Sequence, residues 1–129
     1  MAVGDVLHGM RTCVPDARLQ TRRVTPDVVA YIVEKIVRAV GPRQVIVFGS
    51  QARGTAVEAS DLDLFVVNDG PLSNRQVRRM IERLLMGRQF GVDLVVRSPE
   101  EVVQNLADGN PFYTRDIFGE GRVAYERAV

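Results

Sequence analysis

Two carboxylates two residues apart, Asp61 and Asp63, stand in the run Ser60-Asp61-Leu62-Asp63-Leu64-Phe65-Val66-Val67. Alternate residues of a strand point the same way, so this spacing predicts two anions projecting side by side while Leu62, Leu64 and Val66 enter the core. Unit charges about 4 Å apart repel by roughly 4 kcal/mol at an effective dielectric of 20, so the pair needs a cation. Mg²⁺ suits it, because that ion takes one or two carboxylates together with water and substrate phosphates. A third carboxylate, Asp93, is the only charge in Phe90-Gly91-Val92-Asp93-Leu94-Val95-Val96, which reads as a strand able to be fully buried. Buried without a partner it would cost several kcal/mol, so it too needs a cation or a strong donor. If this strand lies beside the first, three carboxylates converge on one or two ions. Two ions about 3.5–4 Å apart can hold the attacking and leaving oxygens of a phosphoryl displacement.

The elements that must position these groups are short. Val45-Ile46-Val47-Phe48 reads as a strand, and Gly49-Ser50-Gln51-Ala52-Arg53-Gly54 as a glycine-bounded turn opening a short helix. Gly49 lets the backbone come close to a ligand, and Ser50 begins a helix whose free amides attract anions. Ser50 either caps that helix or forms part of a phosphate site, since both use the same amides. Arg53 is either a solvated helix residue or a group that grips a triphosphate or orients a carboxylate. Residues 54–59 form a polar loop, after which Ser60 caps a turn or donates to a carboxylate.

Together these residues resemble the minimal nucleotidyltransferases of the DNA polymerase beta superfamily, whose signature is Gly-Ser-x-Ala-Arg-Gly, then Ser-Asp-x-Asp-Leu, then an Asp on a later strand. The chain matches it at Gly49-Ser50-Gln51-Ala52-Arg53-Gly54, at Ser60-Asp61-Leu62-Asp63-Leu64 and at Asp93, and the resemblance covers roughly residues 26 to 126. It implies Asp61, Asp63 and Asp93 as catalytic metal ligands for two Mg²⁺ ions. It implies Gly49, Ser50, Arg53 and Ser60 as the nucleotide-binding set, with ATP as substrate and AMP left on an acceptor hydroxyl. Such short chains often accompany a small helical partner of the HEPN class, so the resemblance further implies the antitoxin of a toxin–antitoxin system that adenylylates a tyrosine of that partner.

The chain's totals fit such an enzyme without pointing to it. It has 129 residues and a net charge of +1, so no global field draws it to nucleic acid or membrane. Trp is absent and aromatics are few, which leaves nucleic-acid binding unsupported. A single cysteine, Cys13, and a single histidine, His8, exclude an intrachain disulfide and a Cys/His zinc cluster, and fit a cytoplasmic setting. Residues 1–24 read as an N-terminal extension, with Val3, Val6, Leu7, Met10 and Val14 at a helical spacing weakened by Gly4 and Gly9. The segment lacks the pattern of a signal peptide or membrane span, and reads either as a docking arm or as a loosely packed tail.

Residues 25–129 read as the domain. Thr25-Pro26-Asp27 starts a helix with Val29, Ile32, Val33, Ile36, Val37 and Val40 on one side, ended by Gly41-Pro42. A second helix from about Ser73 to Met86 buries Val77, Met80, Ile81, Leu84 and Leu85 and turns Arg75, Arg78, Arg79 and Arg83 outward, as a solvated face or a contact surface. Ser98-Pro99-Glu100-Glu101 is a capping box opening a helix to about Leu106. Pro111–Phe118 adds a helical turn with Phe112, Ile117 and Phe118 against the core, and Gly121–Glu126 alternates as an edge strand does. The expected fold is a small α/β, polymerase beta-like domain: a mixed sheet with helices on one face and an open metal site on the other. No second substrate domain is visible, so another molecule is expected to bring the acceptor. The other reading is a non-catalytic module that neutralises a partner by contact; transfer to a small molecule is disfavoured by the missing acceptor domain.

Overall fold

The computed structural model describes residues 16–56 and 60–128. The chain order is α1 (Pro26–Val40), β1 (Gln44–Phe48), α2 (Ser50–Arg53), β2 (Leu62–Val67), α3 (Asn74–Leu84), β3 (Val92–Arg97), α4 (Pro99–Ala107), a π-helical turn (Phe112–Ile117) and β4 (Arg122–Glu126). The four strands lie in the order β3-β2-β1-β4, with β2 and β3 parallel and the other pairs antiparallel. The sheet is therefore mixed, and its parallel pair is joined through α3, as a parallel connection requires.

Local signals set the element ends. Thr25 caps α1, with Pro26 at its first turn and Gly41 in the left-handed conformation at its end. Ser98 and Glu101 form the expected capping box on α4, and Ser73 with Gln76 forms a second one on α3. One face of the sheet, through Val45, Val47, Leu62, Leu64, Val66, Leu94 and Val96, packs under α1 and α3. The outward arginines of α3, Arg75, Arg78, Arg79 and Arg83, are exposed.

The opposite face departs from the expected open side. The sequence pattern predicts helices on one face only, but α4 and the π-helical turn cover part of the other. Ile46, Phe48, Phe65 and Val67 form a second buried cluster there with Val102, Tyr113 and Ile117. The Phe65 ring meets Tyr113 edge-on at 5.6 Å, and Phe48 meets Phe112 edge-on at 5.5 Å. Within the turn the Phe118 N–H donates to the Tyr113 carbonyl, a five-residue step that widens the turn and rotates the side chains. Tyr113 is thus buried in place of Phe118, which is exposed.

The described part of residues 1–24 also packs on the domain. Asp16 caps a 3₁₀ turn, Ala17–Leu19, and Leu19 is fully buried in the larger core. The apolar spacing from Val3 to Val14, together with His8 and Cys13, lies outside the described residues. No described helix is long and apolar enough to cross a membrane.

Candidate active site

The carboxylates gather at one end of the uncovered part of the second face. In the parallel β2–β3 ladder Asp63 pairs with Asp93, and in the antiparallel β1–β2 ladder it pairs with Phe48. Directly opposed residues share a face, so a row forms across the sheet from Phe48 through Asp63 to Asp93. Asp61 lies one residue before β2 and two before Asp63, at the mouth of the same face.

Burial differs among the three. Asp63 is half-buried, with the buried Phe48 on one flank, whereas Asp61 and Asp93 are exposed. Asp93 thus shares an exposed side with Asp61, and its strand is not fully buried: β3 is an edge strand, and only its Leu94 and Val96 side is buried. An apolar run seen in sequence does not separate a half-covered edge strand from a fully buried one. Burial pushes the Asp63 carboxyl above its ordinary value, the Asp93 and Asp61 charges push it further, and Arg53 partly offsets them. Arg53 is exposed at the end of α2, near enough to be felt by Asp63.

The turn before α2 fits the carboxylates closely. Gly49 has φ 72° and ψ −152°, a conformation that L side chains rarely adopt. A Cβ at Gly49 would lie 2.0 Å from Asp63 Oδ2, so the backbone there is pressed against the carboxylate. Gly49 is also the N-cap of α2, and no side chain caps that helix end. Ser50 is thus the first helical residue rather than its cap, and the Ala52 and Arg53 N–H groups both donate to the Gly49 carbonyl. Ser60 precedes Asp61 at the foot of β2 and is half-buried.

Three carboxylates on one face, none of them paired with a lysine or histidine among the described residues, are hard-oxygen donors of the kind Mg²⁺ takes. Among the described residues, however, no three His, Cys, Asp or Glu side chains are grouped closely enough to hold an ion as they stand. The expected convergence is therefore incomplete: the backbone brings the three to one face without closing them on one point. A mostly apolar groove of about 760 Å³ lies elsewhere, lined by Val29, Val33 and Val37 of α1 and by Ala124 and Tyr125 of β4, and none of the three carboxylates borders it. One contributor had no signal in the motif: Gly91, against which the Asp61 carboxyl rests.

Comparison with known proteins places these residues in a wider set. Residues 29–124 match the family model of the nucleotidyltransferase domain. A Methanocaldococcus jannaschii protein bearing the name "putative protein adenylyltransferase" is 31% identical over 83 residues, which are 64% of this chain and 78% of that one. Among solved structures, a Sulfolobus solfataricus chain named "putative nucleotidyltransferase" superposes with a TM-score of 0.54 at 22% identity, over 78% of this chain and 79% of that one, a likeness of fold. A chain from the crystal structure of a toxin–antitoxin with AMP-PNP superposes with a TM-score of 0.44 at 20% identity, over 76% and 73% of the two chains, too loosely to carry an argument.

Proposed function

Since this chain belongs to the nucleotidyltransferase domain family and is a nucleotidyltransferase, we propose that it transfers AMP from ATP to a hydroxyl, with Asp61, Asp63 and Asp93 as its Mg²⁺ ligands. The observation that carries this reading is the Asp63–Asp93 pairing, with Asp61 at the mouth of the same face and Asp63 held above its ordinary range. A protein with no use for a cation would gain by losing such a row.

Asp61 and Asp63 would hold both ions and Asp93 one of them. Bound there, Mg²⁺ would neutralise phosphate charge and so favour displacement at phosphorus. Asp93 takes the proton of the incoming hydroxyl, whose oxygen forms the new bond to the α-phosphorus while the bond to pyrophosphate breaks. Gly49 and the α2 amides at Ser50 hold the terminal phosphates, as an uncapped helix start can. Arg53 pairs with the same phosphates through its guanidinium, and Ser60 adds a hydroxyl donor at the foot of β2.

The acceptor is proposed as a tyrosine hydroxyl on a HEPN-type toxin, with this chain as the antitoxin, acting in the cytoplasm. The motif resemblance supports this reading, and the relative named a protein adenylyltransferase supports protein as the acceptor class. The catalytic domain is taken as residues 25–129, with 1–24 as an extension of which the part from Asp16 is clamped to it.

A contact-only module that neutralises its partner has one observation in its favour, the lack of a closed metal-ligand group among the described residues. Transfer decides between the two readings. Incubation with α-labelled ATP, Mg²⁺ and co-purifying protein should label that protein, and Asp61→Asn or Asp63→Asn should abolish the label while the variants stay folded. Label that persists in both variants would refute the mechanism.

A further inference from the structure

Residue 91 stands where the β2–β3 ladder extends by one step. Leu62 pairs with Val92, and the Leu62 N–H donates to the Gly91 carbonyl at 2.9 Å, so residue 91 flanks Asp61 much as Asp93 flanks Asp63. Side chains two apart on a strand share a face, so a side chain at 91 would project on the Asp93 side, toward Asp61. It would find that volume filled. A Cβ on Gly91 would lie 2.2 Å from Asp61 Oδ1, 2.6 Å from its Cγ and 3.0 Å from Oδ2, and these are the three nearest atoms it would meet. The Asp61 carboxylate thus occupies the place of the missing side chain. The backbone does not explain the glycine, because Gly91 is not among the residues with positive φ. Gly49 differs, since both its backbone and its neighbour Asp63 exclude a side chain.

We propose that Gly91 is a positioning residue: by leaving this volume free it seats the Asp61 carboxylate beside Asp63 and Asp93, and so sets the affinity of the row for a divalent cation. The inference rests on the reading of Asp61 as a metal ligand. A Cβ at 91 must displace the carboxyl end of Asp61 from its place beside the row.

The test uses Mn²⁺ alone as the probe, titrated into the full chain and followed by the loss of the free-ion electron paramagnetic resonance signal, with a melting curve for each variant. Gly91→Ala should bind Mn²⁺ about 10-fold more weakly, the scale seen when a group supporting a metal ligand is changed. In an Asp61→Asn background the same alanine should cost nothing further. Wild-type binding by Gly91→Ala, with Asp61→Asn weakened, would overturn this inference and leave Asp61 as a ligand. Wild-type binding by Asp61→Asn would remove the ligand reading and this inference with it. Should Gly91→Ala lower the melting temperature, adding Asp61→Ala should restore it, since the clash then loses its partner; a loss kept in the double variant would overturn the proposal.

Discussion

Asp16 and Asp63 are both withdrawn in part from water, but one is met by cations and donors and the other by more carboxylates. Asp16 accepts from Lys35 Nζ at 2.6 Å, from the Tyr31 hydroxyl and from the Arg18 N–H. Burial alone would raise its pKa, but these bonds outweigh burial and hold it below the ordinary range. The same cluster fastens the start of the described chain to α1, with Lys35 also donating to the Leu84 carbonyl and Arg18 stacked 4.0 Å from the Tyr31 ring centre. At Asp63 burial raises the pKa, and Asp93 and Asp61 raise it further. Asp16 therefore favours the folded chain, whereas Asp63 opposes it.

The largest stability effect should come from breaking the Asp16 site. Asp16→Ala removes the carboxylate that Lys35 and the Tyr31 hydroxyl share, and should cost about 1–3 kcal/mol, read from a urea or thermal unfolding curve. Affinity for Mg²⁺ and ATP should hardly change, because none of these groups belongs to the carboxylate row. An equal loss of nucleotide binding in a variant that remains folded would erase the distinction between the two sites.

A smaller effect of opposite sign should follow at the Asp63 site. Asp63→Asn removes a charge that the folded chain disfavours, and should raise the melting midpoint by about 2–4 °C at neutral pH even as it removes transfer. Its pH dependence has a defined direction. A carboxyl whose folded pKa lies above its ordinary value of 3.8 binds its proton more readily when folded, so the chain loses stability as pH rises between the two values. The advantage of Asp63→Asn should then be full above the folded pKa and vanish as pH falls toward 3.8. Asp16 runs the other way: its contribution is complete above its ordinary value and is lost as pH falls through its lowered one. Unfolding midpoints of both variants across this range check the signs. A destabilised Asp63→Asn at neutral pH would mean that the row is not strained by its own charges.

Much of this contrast was legible in the residues. The strand, glycine turn and paired acids around Asp61 and Asp63 carry local signals, because strand alternation, a tight turn and a short apolar run are each properties of neighbours in sequence. The caps at Thr25 and Ser98 are local in the same way. What escaped depends on contacts distant in sequence. The run around Asp93 reads as a strand able to be fully buried until β3 is known to be an edge, and Gly91 matters only because β3 pairs with β2 in one register. Asp16 and Leu19 lie in a segment whose packing is fixed by Tyr31, Lys35 and the core. The second covered face followed from a π-helical turn whose wider step exchanges Tyr113 for Phe118, and helical periodicity does not foresee that step.

The most direct test of the central claim is isothermal titration of the purified chain with ATP and Mg²⁺, beside the Asp61→Asn/Asp63→Asn double variant. Metal-dependent binding by the wild type that is lost in a folded double variant is the expected result, and it would locate the nucleotide at this carboxylate row. Equal binding by both proteins would contradict the account, because the nucleotide would then be held without the acids on which the mechanism depends.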